Sequence, residues 1–150
     1  MYRLLLTILL LTGCVYPYRG VLGGIDTIAI PFADNLTAES AVADSLTNAT
    51  AMAFNEDGLW RVVDAEGADA ILYLDILSVE DRVYPWSRPP SQYRLSVVVS
   101  VEIIASDGSP LLKQYESVGW GTYEEDDERE KAISKAARMV AWDIIDRCRR

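Results

Sequence analysis

The chain has 150 residues, a formal net charge of −9 and no histidine. An acidic balance of this size argues against nucleic acid as a partner and against nonspecific attraction to an anionic surface. Without histidine the commonest general base, the Ser-His-Asp triad and the usual zinc sites are all missing.

Met1-Tyr2-Arg3 supplies a positive start, and Leu4 to Leu11 is apolar apart from Thr7. That run has the length of a secretory h-region and is too short for a bilayer core of about 30 Å. The small pair Thr12-Gly13 precedes Cys14, and Leu11-Thr12-Gly13-Cys14 resembles the lipobox of bacterial lipoproteins. The resemblance implies that residues 1–13 are a signal peptide and that Cys14, covalently acylated, opens the mature chain. Val15 follows where an Asp would mark inner-membrane retention, so the implied address is the periplasmic side of the outer membrane. Each buried acyl methylene is worth about 0.8 kcal/mol, and two or more chains anchor a protein stably. Loss of Arg3 takes the formal charge from −9 to −10. With Cys14 committed to lipid, Cys148 has no partner within the chain and reads as a small apolar residue of the last helix.

Pro17, Gly20, Gly23 and Gly24 make residues 14–24 a lipidated tether, leaving 25–150 as one domain. Ile25 to Phe32 is a strand, with Ile28, Ile30 and Phe32 on one face at period two. Pro31 lacks an N–H, which places this strand at an edge or ends its pairing there. Asn35 to Thr37 supply capping groups for a helix to about Asp57. In it Val42, Leu46, Ala49 and Ala53 recur at helical spacing, and Asp44, Thr47 and Asn48 face away. Gly58 stands where a left-handed residue closes a helix. Trp60 to Asp64 is a short strand. Ala70 to Val79 is a longer one, with Ala70, Leu72, Leu74 and Ile76 on one face and Tyr73, Leu77 and Val79 on the other. Tyr93 to Ile104 alternates most clearly, and Asp107-Gly108 turns the chain back into a strand over Leu111 to Tyr123. A last helix over Glu124 to Arg149 opens acidic and closes basic, in accord with the helix dipole. Its apolar stripe is Ile133, Ala137, Val140, Ile144 and Cys148.

The order β-α-β-β-β-α, with one apolar face per helix, predicts an α+β two-layer sandwich. Two helices pack on one face of a mixed four- to five-stranded sheet, whose parallel step is the first crossover. The uncovered face, holding Tyr73, Leu77 and Val79 beside the serines of the long strand, is a candidate partner surface.

The ordered pieces Tyr16-Pro17-Tyr18-Arg19-Gly20, Ile28-Ala29-Ile30-Pro31-Phe32, Asn35-Leu36-Thr37, Arg61-Val62-Val63-Asp64, Ala68-Asp69-Ala70-Ile71-Leu72, Tyr93-Arg94-Leu95 and Glu130-x-Ala132-Ile133 follow the lipobox cysteine. Together they resemble the lipopolysaccharide-assembly lipoprotein family LptE over nearly the whole mature chain. The resemblance implies two helices on a four-stranded sheet, no catalytic activity, no cofactor beyond the acyl lipid, and a plug-like place inside the outer-membrane β-barrel LptD. For some members it also implies contact with lipopolysaccharide, through basic positions near the sheet and hairpin. Here the turn Ala105 to Pro110 holds Asp107 and no cation, and Lys113 is the nearest one.

Arg82, Arg88 and Arg94 gather around the proline-rich loop that holds Trp86. They fit either an anion or partner contact, with Tyr84 and Trp86 as anchors, or a solvated loop paired with Glu80 and Asp81. Glu124 to Glu128 reads as a helix start, because consecutive carboxylates neither alternate like a calcium loop nor face each other across a cleft. Trp60, Trp120 and Trp142 read as core or rim. The candidate contact set is therefore Arg82, Trp86, Arg88, Arg94, Tyr73 and Lys113. The competing function is a regulatory envelope lipoprotein docking on a cell-wall synthase through the exposed face.

Overall fold

The computed structural model describes residues 22–83 and 92–150; Cys14, Trp86 and Arg88 lie outside the described residues. β1 (Thr27–Ala29) and β2 (Asp34–Asn35) precede α1 (Ser40–Asp57). β3 (Arg61–Val62) follows, then β4 (Ala70–Val83), β5 (Tyr93–Ala105) and β6 (Pro110–Tyr123). A 3-10 turn over Asp126–Glu128 leads into α2 (Arg129–Arg149). The sheet order is β3-β1-β4-β5-β6, and β2 pairs with β4 further along the edge that β1 uses. β1 is parallel to both neighbours, while β4, β5 and β6 are antiparallel. This is the expected α+β sandwich, with the two-residue β2 as an added strand.

Strict alternation drives the layering. Leu95, Val97, Val99, Val101 and Ile103 of β5 are buried against Val42, Leu46 and Phe54 of α1 and Ile133, Val140 and Ile144 of α2. Burying each such side chain is worth roughly 1.5–3 kcal/mol. The opposite edge of the helix layer depends on absent side chains. A Cβ at Gly119 would stand 2.7 Å from the Ala136 carbonyl carbon, and one at Gly121 would stand 2.6 Å from the Ala132 Cα. The two glycines let the α2 backbone lie directly on β6.

Several boundaries differ from the sequence expectation. β1 stops at Ala29, Ile30 is only partly buried, and Phe32 is 62% exposed. Past Pro31 the chain leaves the ladder, and the Ala33 N–H donates to Thr47 Oγ1 at 3.0 Å. Thr47, expected to face away, thereby fixes the crossover. The helix begins at Ser40 rather than at the capping triplet, because Asn35 organises a turn of its own. Its Oδ1 accepts from the Thr37 N–H at 2.9 Å, and its Nδ2 donates to the Glu39 carbonyl at 2.8 Å. Gly58, at φ 70°, closes α1 as expected. β4 runs on to Val83, and a register shift between Ile76 and Ser78 makes Leu77 a bulge residue. Beyond it the alternation inverts, so Val79 opposes Val97 and packs toward the helices instead of on the open face. The acidic run forms the 3-10 turn, and α2 proper starts at Arg129. Leu22, which its glycine neighbours group with the tether, is fully buried in the core. Cys148 is buried as well, and burial pushes its thiol up to about 12.

Candidate functional site: the open sheet face and the β4–β5 arm

Opposed residues of an antiparallel ladder share a face, so the registers define the surface the helices leave uncovered. Its rows are Arg82, Arg94 and Thr122; Glu80, Ser96 and Trp120; Ser78, Val98 and Val118; and Asp75, Ser100 and Glu116. Tyr73 faces Glu102 one step further toward the β5–β6 turn. Val118 is 54% exposed, Tyr73 42% and Leu77 38%. The Leu36 N–H donates to the Ile76 carbonyl at 3.1 Å, which brings Leu36 to the same face, 73% exposed. Leu36, Asp75, Leu77, Ser100, Gln114 and Glu116 line an open groove of about 620 Å³. Gln114 Nε2 donates to Ser100 Oγ at 2.8 Å across its floor. The face is therefore an apolar stripe flanked by carboxylates, suited to contact with a surface rather than to enclosing a small molecule.

The structure divides the candidate residues into two groups. Arg82 and Arg94 are register partners near the end of the β4–β5 hairpin. Arg82 Nη2 donates to Glu80 Oε2 at 2.6 Å, so the solvated pairing holds for that residue. The Arg94 guanidinium lies 4.6 Å from the centre of the Trp120 ring, and Lys135 Nζ of α2 lies 5.0 Å from it. Trp120 thus serves as a rim residue held by two cations. Tyr73 and exposed Lys113 belong to the other end, where Glu102 faces the irregular stretch of β6 between Leu112 and Tyr115. The two groups stand roughly 30 Å apart along β4, by the rise of a strand, and so form no single site.

Asp81, the other acid expected beside the loop, has a different role. Arg129 Nη2 donates to Asp81 Oδ2 at 2.9 Å, and Nη1 donates to Glu39 Oε2 at 2.7 Å. The Tyr123 hydroxyl donates to Asp81 Oδ1 at 3.1 Å, and its ring stacks on Tyr93 at 5.4 Å. Hydrogen bonds to Asp81 lead in raising the Arg129 guanidinium above its ordinary value. Burial, then the Asp81 carboxylate, raises Tyr123. One cluster therefore ties the start of α1, the arm and the start of α2 together. Sequence reasoning missed it because its members are far apart in the chain and unremarkable singly.

At the other end of the sheet Asp69 takes a comparable position. Its Oδ2 accepts from Thr27 Oγ1 at 2.8 Å and from the backbone N–H groups of Thr27 at 2.9 Å and Asp26 at 3.0 Å. The Thr27 hydroxyl, then those amides, hold its carboxyl below the ordinary carboxylate range. On the outer side of the helix layer, Ala49, Met52, Arg138 and Trp142 line a groove of about 280 Å³. Among the described residues no cluster of three or more acidic or cysteine side chains could hold a metal ion. No helix among them is long and apolar enough to cross a membrane.

Two helices over one face of a mixed sheet, with the other face open and Arg82 and Arg94 engaged within the chain, define a small α+β sandwich domain. Residues 25–148 match the lipopolysaccharide-assembly family LptE, and the chain belongs to that family. Solved structures of the same fold include the PelC dodecamer of Paraburkholderia phytofirmans, at TM-score 0.53 and 18% identity over 81% of this chain and 86% of that one. A minor lipoprotein of Acinetobacter baumannii matches at TM-score 0.55 and 11% identity, over 83% and 90%. The rare lipoprotein B of Shewanella oneidensis matches at 0.52 and 14%, over 81% and 92%. Among curated proteins none matches the chain.

Proposed function

We propose that this chain is a lipid-anchored outer-membrane lipoprotein, acting as the non-enzymatic partner of an LptD-type β-barrel in lipopolysaccharide assembly. The observation that carries the reading is the LptE match over residues 25–148, which spans the whole folded domain. Acylation of Cys14 holds the domain at the periplasmic leaflet, and the open sheet face provides the contact. Arg82 is engaged by Glu80 and Arg94 by Trp120, so the reading gives this chain a protein-contact role, with lipopolysaccharide the cargo of the barrel.

The test is purification of the full lipoprotein from membranes in mild detergent. A large β-barrel should co-purify, and it should be lost from the double variant Leu77→Glu, Val118→Glu, which places charge on exposed positions of the open face. Recovery of soluble periplasmic proteins alone would overturn the reading. Recovery of an inner-membrane cell-wall enzyme, with lipopolysaccharide export intact after depletion, would replace it with the regulatory alternative.

A further inference from the structure

We infer that the domain keeps one end nearer the lipid than the other. This end is formed by Leu22, the Ala65–Gly67 turn, the β5–β6 turn and the C-terminal ends of both helices, and the β4–β5 arm points away from the anchor. The inference rests on the reading that Cys14 carries the lipid, and it follows from where the fold begins. Leu22 is fully buried, and the Ile25 N–H donates to its carbonyl at 3.4 Å, so the chain is pinned at that point. Seven residues separate it from Cys14, and the eight Cα–Cα steps reach at most about 28 Å.

The contacts around Leu22 identify one end of the sheet. The Arg61 N–H donates to the Asp26 carbonyl at 3.0 Å, which brings in β3 and the close of α1. Thr27 Oγ1 lies 3.4 Å from the Gly67 carbonyl oxygen, and the Ser106 N–H donates to the Asp69 carbonyl at 2.8 Å, which adds both turns. Arg149, at the end of α2, pairs with Asp57 at the end of α1. The opposite end holds the Val83–Tyr93 pair, Arg82, Arg94 and the Arg129 cluster.

The 14 residues of β4 separate these ends by roughly 43 Å at the rise of a strand. With the arm tip at the lipid surface, Leu22 would stand beyond the reach of its tether, so that pose is excluded. A flat pose on the open face would press Asp75, Glu80, Glu102 and Glu116 against anionic headgroups. The lipid-facing end carries exposed Asp64, Glu66, Asp69 and Asp107 beside exposed Arg61, while Arg147, Arg149 and Arg150 pair with Asp143, Asp57 and Asp146. Its net charge is negative and supplies no attraction, so the acyl chains hold it in place.

The test uses the acylated full chain in phosphatidylethanolamine–phosphatidylglycerol vesicles containing a headgroup spin label. A fluorophore is attached in turn at Glu66→Cys, Ser106→Cys, Val83→Cys and Asp127→Cys; buried Cys148 does not compete for the maleimide. Labels at 66 and 106 should lose most of their emission, and labels at 83 and 127 should keep theirs. The protein should also stay on the vesicles in high salt. Equal quenching at both ends, stronger quenching at 83 and 127, or release by salt would overturn the inference. Failure of the acylated chain to associate with vesicles at all would instead overturn the anchor reading beneath it.

Discussion

The two faces of β5 and β6 are written in the same alternating residues and obey different rules. Toward the helices, Val97 and Val99 are aliphatic and fully packed, and their partners on β6 shrink to Gly119 and Ser117 where α2 lies closest. Toward the open side, the neighbouring rows mix Ser96 with Trp120 and Val98 with Val118, and no steric limit selects among them. The helix-covered face specifies the fold, and the open face is free to specify a partner. Substitutions on one should therefore cost stability, and those on the other should cost binding.

The strongest way to break that distinction is at Gly119. Gly119→Ala places a methyl against the Ala136 backbone, which cannot move aside as a flexible side chain would. α2 must lift from β6, at a cost of about 3 kcal/mol, at the upper end for an overpacked core. Urea unfolding followed by circular dichroism should show the free energy of unfolding falling by that amount, with a lower midpoint. An unchanged midpoint would mean that α2 does not lie on β6 as described. On the open face, Val118→Thr should change the same free energy by less than about 0.5 kcal/mol.

A finer comparison sets against each other two arginines that pair with the arm. Arg82 and Arg129 each pair with an acid of β4, yet the Arg82 side chain is 79% exposed and that of Arg129 26%. An exposed pair is worth about 0–1 kcal/mol, whereas Arg129 serves two carboxylates from two elements. Arg129→Met should destabilise by about 1–2 kcal/mol, in the range of charge-assisted hydrogen bonds, and Arg82→Met by almost nothing. Equal effects in the same unfolding assay would show that the cluster does not join the helices to the arm.

The contrast between the faces also explains what could be read from sequence. The period-two run of β5 and the helical stripes of α1 and α2 were legible because burial on one side imposes a regular pattern. Gly119 and Gly121 carry a readable signal too, since alternate glycines within a strand mark close backbone approach. Three features left no such mark. Leu77 is apolar like its neighbours, and only the pairing of β4 with β5 makes it a bulge, which then turns Val79 inward. Leu22 sits in a glycine-rich stretch whose composition signals a tether, yet tertiary packing takes it into the core. The Arg129 cluster depends on Glu39, Asp81 and Arg129 meeting across three elements, and no local spacing records such a meeting. The open face was legible as a surface, because a helix layer covers only one side. That Tyr73 and Lys113 share no end with Arg82 and Arg94 was not, since only the registers of β4, β5 and β6 set them apart.

The smallest effect is a pH dependence at one end of the sheet. At the end of the sheet near Leu22, Asp69 gathers three donors around one oxygen, which lowers its folded-state pKa. A depressed carboxyl contributes stability that is complete above its unfolded value of about 3.9 and is lost as pH falls through its folded value. Asp69→Asn keeps an acceptor in place and removes the titration, so its stability should lose less than the parent's on acidification below about pH 4. Thermal unfolding midpoints measured from pH 7 down to about pH 3 will read the difference. Parallel curves for the Asp69 variant and the parent would show that Thr27 and its amides do not hold the carboxylate in solution. β1 would then be secured at its start by backbone pairing alone.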